Sequence, residues 1–152
     1  MIEVIIDDEG WRRDLPEAEA LAADCADATG KYEPAVKKEM ALLLTNDAAI
    51  KALNARFRNL DQPTNVLAFP SGDDNRFLGD IALARETCLR EAAGKKITLR
   101  DHAAHLIIHA MLHLVGYDHQ ADDEASVMEQ REAKILKAIG IANPYTDALE
   151  TI

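Results

Sequence analysis

The chain has 152 residues, 48% hydrophobic and 29% charged, a balance that excludes a disordered or membrane-embedded protein and a length that suits one domain. Its net charge of −10 opposes general coating of nucleic acid, because phosphate neutralisation needs many lysines and arginines facing the ligand. Cys25 and Cys88 stand in no C-x-x-C spacing, so neither a disulfide framework nor a thiolate metal site is expected, and both read as buried, inert thiols.

Glu3 to Ile6 reads as a first strand. Acids surround it where a secretory leader would carry bases, so export is not expected and the chain is placed in the cytoplasm, with no stretch fit to span a bilayer. Pro16 sits early in an alanine-rich helical pattern, Glu17 to Thr29, for which Gly30 is the expected stop. Val36 to Thr45 mixes bases with a Met-Ala-Leu-Leu-Leu run; its shortness and position favour a strand. Asn46 or Asp47 caps an amphipathic stretch, Ala48 to Arg56, followed by the turn-rich Asn59 to Pro63.

Asn65 to Phe69, stopped by Pro70, and Phe77 to Leu83 read as two strands that the loop Ser71 to Asn75 joins in a hairpin-like return. Thr98 suits the N-cap of a helix from Leu99 to about Val115, with Gly116 where a left-handed residue is wanted. A last helix runs from Asp122 to Ile139 and ends at Gly140. The order predicts one small α/β (α+β) domain over residues 1–152, with a central mixed, mainly parallel four-stranded sheet flanked by helices.

The segment His109 to His119 carries the chemistry. His109 and His113 are four residues apart, so on a helix two imidazoles leave one face a turn apart and converge on one ion. Gly116 can take a positive φ, end the helix and return His119 to the same point. Three histidines leave a tetrahedral zinc one open position, the mark of a catalytic site, and imidazole suits zinc better than magnesium or calcium. His102 and His105 share the helical stripe, but only the pair 109 and 113 lies beside the glycine turn. The ligand spacing H-x-x-x-H-x-x-G-x-x-H is that of metzincin metalloproteases, whose second position is the catalytic glutamate; Ala110 stands there, which demotes a peptidase reading.

Two separated segments carry a family resemblance. His109 to His119 is close to H-G-x-x-H-L-x-G-Y-D-H, and Leu53 to Pro70, LNARFRNLDQPTNVLAFP, is similar to L-N-x-x-Y-R-x-x-D-x-P-T-D/N-V-L-S-F-P. With Leu78 to Ile81, Asp122 to Ala125 and Asn143 to Tyr145, the chain resembles the YbeY family of rRNA maturation factors over most of its length after residue 45. The resemblance implies a metzincin-like metal helix and a single-strand-specific endoribonuclease with one zinc ion on His109, His113 and His119. It also implies a role in 16S ribosomal RNA maturation and ribosome quality control, with single-stranded RNA and the small ribosomal subunit as partners. It makes Arg58 the functional arginine; Ala110, Phe57 and Ala68 depart from the family's glycine, tyrosine and serine.

Arginine grips phosphate in two places, and Asp80, Asp118 and Glu124 are candidates for a general base, with Asp118 also suited to orienting an imidazole. From Lys31 to Arg58 six bases face three acids, whereas from Asp118 to Glu132 six acids face one base. The basic segment is therefore expected to form the RNA groove, with the acidic helix turned partly away. The alternatives are a metallopeptidase-like hydrolase and a non-catalytic ribosome-assembly factor whose zinc is structural.

Overall fold

A computed structural model describes residues 1–58, 64–71, 76–117 and 121–145, apart from the Arg58 side chain. The turn 59–63 and most of the loop 71–75 lie outside the described residues.

Four strands, β1 (Ile2–Ile6), β2 (Glu39–Thr45), β3 (Val66–Pro70) and β4 (Phe77–Ala84), form one sheet in the order β1-β2-β4-β3. β1 with β2 and β2 with β4 pair in parallel, and β3 returns antiparallel to β4, so the sheet is mixed and mainly parallel as expected. Parallel neighbours need crossovers. The first runs through α1 (Gly10–Asp14), α2 (Ala18–Tyr32) and a 3-10 turn (Pro34–Lys37), and the second through α3 (Asp47–Arg58) and β3. After the sheet come α4 (Arg85–Lys95), α5 (Leu99–Leu114) and α6 (Asp122–Ala138).

The two faces of the sheet bury different partners. Met40, Leu42, Leu44, Ile81 and Leu83 join the large core shared with α2, α5 and α6. On the other face Leu67, Ala82 and Ala84 pack with Ile50 and Leu53 of α3. β2 thus sets apolar residues on both faces, Met40, Leu42 and Leu44 in the large core and Leu43 against α3, which is why its sequence is a continuous apolar run and not an alternation. At the C-terminal end of β2 the fully buried Trp11 donates its indole N–H to the Thr45 carbonyl at 2.8 Å.

Four elements differ from the sequence expectation. α2 passes through Gly30, which lacks a positive φ, and stops at Tyr32, where Glu33 precedes Pro34 and must leave the helical region. Residues Pro34–Lys37 form the 3-10 turn, so β2 begins only at Glu39. α1 and α4 are additional. Of the two candidate caps for α3, Asn46 serves: its Oδ1 accepts the Ala49 N–H at 2.9 Å. Asp47 instead accepts the Thr87 N–H and hydroxyl, tying α3 to α4. Among the described residues, no helix is long and apolar enough to cross a membrane.

Candidate metal centre

α5 is fixed at both ends. The Thr98 hydroxyl accepts the Asp101 N–H at 3.1 Å. At the other end Gly116 takes φ +107°, and the N–H groups of Gly116 and Tyr117 bond the carbonyls of His113 and Leu112, both at 3.0 Å. This glycine-dependent closure is the one the sequence called for. Tyr117 then donates its hydroxyl to Glu33 at 2.8 Å, which anchors the outgoing chain against the end of α2. Asp118 and His119 lie outside the described residues, so the third expected ligand has no described position.

His109 and His113 do come together. Their Nε2 atoms are 3.1 Å apart, with ring planes at 79°. His109 Nδ1 lies 2.9 Å from Glu132 Oε2. Because a carboxylate only accepts, the proton sits on Nδ1 and the His109 Nε2 lone pair points at the His113 ring. Two nitrogens each about 2.05 Å from a tetrahedral zinc stand roughly 3.3 Å apart, so the observed spacing fits an ion between them. Ala110 is buried in the main core, and its methyl group is accommodated there.

Glu132 is the residue that sequence reasoning missed. It is 0% exposed and accepts from His105 Nε2 at 2.7 Å, from His109 Nδ1 and from the Tyr145 hydroxyl. Burial pushes its carboxyl up, but the hydrogen bonds from His105 and His109 outweigh it and hold it ionised, at about 2. Burial and the same carboxylate raise the Tyr145 phenol, which therefore stays a donor. A signal for Glu132 existed: it lies on the stripe Met128, Ile135, Leu136 that α6 buries, where an acid must have a partner.

The upstream histidines have other work. His105 Nε2 is engaged with Glu132 and Tyr145. His102 Nε2 meets Glu91 Oε1 at 2.8 Å, and Asn65 donates to the same oxygen at 3.0 Å, which joins α5, α4 and the start of β3. Burial lowers the His102 pKa and keeps the ring neutral.

The remaining expected site residues divide. Asp80 projects to the α3 face of the sheet, lining a groove with Leu43, Leu53 and Phe57, whereas α5 lies on the opposite face, so it is not placed to serve as base at these histidines. Glu124 is exposed in the first turn of α6. The backbone of Arg58 ends α3. Its neighbour Phe57 stacks edge-on with Phe69 at 5.6 Å, and Phe69 pairs with Asp80 beside Gly79, the residue that meets Leu114 of α5. The ends of α3 and α5 thus approach one end of the sheet from opposite faces.

The basic segment does not form one face. Lys31 and Lys37 belong to α2 and the 3-10 turn on the α5 side, while Lys51 and Arg56 belong to α3 across the sheet. The acidic helix, expected to turn partly away, exposes Asp122 to Glu124, while Glu129 and Glu132 line a cavity of about 370 Å³ with His109, Ala125, Met128 and Tyr145. α6 must present this face because its apolar stripe packs on α5.

Comparison with known proteins gives a consistent answer. The family model for endoribonuclease YbeY matches residues 5–140. An endoribonuclease YbeY of Bradyrhizobium diazoefficiens is 44% identical over 158 aligned positions, covering 97% of this chain and 86% of the relative. The Sphingopyxis alaskensis protein of the same name is 46% identical over 149 positions, covering 90% and 89%. A Thermotoga maritima protein solved in solution shares the fold with a TM-score of 0.61 over 91% of each chain, at 23% identity. By family match and by relatedness along nearly its whole length, this chain belongs to the endoribonuclease YbeY family.

Proposed function

We propose that the chain is a zinc-dependent endoribonuclease that cuts single-stranded RNA and acts in the cytoplasm in 16S ribosomal RNA maturation and ribosome quality control, with the small ribosomal subunit as partner. The observation that carries the metal reading is the 3.1 Å approach of two imidazole nitrogens, one with its proton committed to the far side of its ring. The RNA reading is supported by family membership, since the relatives carry the endoribonuclease name.

In this reading His109, His113 and His119 would hold one zinc ion. When bound, zinc would supply Lewis acidity toward a phosphate oxygen. The chain's own residues set the stage. His109 and His113 present their ring nitrogens toward one another from a helix clamped at both ends. Glu132 keeps the His109 proton at Nδ1. Met128, Ala125 and Tyr145 wall the adjoining cavity and exclude part of the solvent from it. Arg58 is assigned the phosphate, which its planar fork grips in two places as charge develops.

Freshly purified protein should contain one zinc ion per chain. His113→Ala or thorough chelation should abolish cleavage of a single-stranded RNA, and Arg58→Glu should weaken it at unchanged zinc content. Full cleavage by zinc-stripped protein would overturn the reading. An unstructured peptide assayed beside the RNA separates the proposal from a metallopeptidase, and a fourth protein ligand on the metal would favour a structural zinc.

A further inference from the structure

We propose that Glu132 is the positioning residue that selects the metal-binding tautomer of His109, and that Tyr145 is the latch that sets Glu132. The inference rests on the metal reading above and extends it to two residues on elements that contribute none of the expected ligands.

The geometry is a shared acceptor. Oε2 of Glu132 takes the His109 Nδ1 proton at 2.9 Å, while Oε1 takes His105 Nε2 at 2.7 Å together with the Tyr145 hydroxyl. The carboxylate is wholly buried, so each oxygen depends on these donors. With Oε1 held by two donors from different elements, Oε2 has one fixed direction, toward His109. A neutral imidazole carries one proton, and an acceptor at Nδ1 puts that proton there and leaves the Nε2 lone pair on the side facing His113. The opposite tautomer would put an N–H into the 3.1 Å gap between the two rings and close it to a cation.

Tyr145 arrives from the segment after α6. Its ring meets His105 edge-on at 5.4 Å, and its backbone N–H is held by Asn143 Oδ1 at 2.9 Å, so an Asx turn delivers the hydroxyl to the carboxylate. The tyrosine is 40% exposed, so the latch is reached from the surface while its oxygen works inside. The short sequence Asn143-Pro144-Tyr145 therefore has a physical task at a centre some thirty residues upstream.

Glu132→Gln keeps the shape and reverses the logic at one atom. The amide oxygen can still accept from His105 and Tyr145, and the amide nitrogen then donates toward His109 Nδ1, which satisfies every group and moves the His109 proton to Nε2. The fold should survive, and zinc affinity, measured by competition with a chromophoric chelator, should fall about 10- to 100-fold. Nitrogen-15 shifts of the metal-free protein should show His109 as the Nδ1–H tautomer in the parent and as Nε2–H in Glu132→Gln. A merely structural glutamate would not move that readout. Tyr145→Phe, a near-surface change, should keep the tautomer and weaken zinc binding several-fold. Parent protein that binds no zinc would defeat the metal reading itself. Parent protein that binds zinc while Glu132→Gln binds it equally, with the His109 tautomer unchanged, would defeat this inference alone.

Discussion

Gly79 lies where α5 meets the sheet, and replacing it with alanine should loosen both. The residue sits in β4 at φ +156°, where side chains are rarely tolerated, and an added Cβ would lie 2.5 Å from the Phe69 carbonyl oxygen and 2.7 Å from Leu114 Cδ2. The first contact is with paired backbone of β3 and cannot be relieved by rotating a side chain; the second is with the last residue of α5, beside His113. Holding a residue in such a backbone region costs about 1–3 kcal/mol, and forcing atoms into a packed interior costs about 1–3 more. Gly79→Ala should therefore lose roughly 2–6 kcal/mol out of a typical 5–15 kcal/mol. In urea unfolding followed by circular dichroism, that loss moves the midpoint down by about 1 M or more. Adding Leu114→Ala should recover only the part due to the side-chain clash. A Gly79→Ala midpoint indistinguishable from that of the parent would refute the reasoning, because it would mean that the strand yields at no cost.

Asp80 offers a test with a definite sign. The apolar groove it lines partly desolvates the carboxyl and raises its pKa above the ordinary 3.8, so its contribution to stability is present below that value and is lost as the pH rises through the folded-state pKa. Asp80→Asn should consequently be more stable than the parent near neutrality, with the difference shrinking below about pH 4; a difference that grows on acidification would contradict the burial argument. Cys25 and Cys88 are both fully buried, and burial pushes each thiol up to about 12. A thiol-reactive dye should label neither in the native protein and both in urea; rapid native labelling would place them elsewhere.

The parts of the fold that were legible in the sequence are those whose reason is local. Thr98, Gly116 and the paired histidines are written at the two ends of α5, and β2 is read as a strand from the shortness and position of its apolar run. α4 was silent because it buries only Cys88 and Ala92 and has no side-chain cap; Asp47, Asn65 and His102 hold it from other elements. α1 is five residues long with only Trp11 buried, too short to show a period. Gly30 misled because glycine marks a stop only where φ turns positive, and the nearby Pro34 was the stronger terminator. Glu132 and Tyr145 were hidden for another reason: their partners are 13 to 40 residues away, and pairwise meeting across helices leaves no spacing rule in the chain. The groove expected of the basic segment failed similarly, since charge along the chain does not say which side of the sheet each element will cover.

Trp11 has a practical consequence. It is the only indole in the chain, and it is sealed at the Thr45–Ala84 end of the sheet, opposite the Gly79 end where α5 meets β4. Its emission should be a built-in gauge of whole-domain melting that stays dark to rearrangements confined to the histidines. A change at the histidine end of α5 would reach this lamp only through the packed core and the sheet between them.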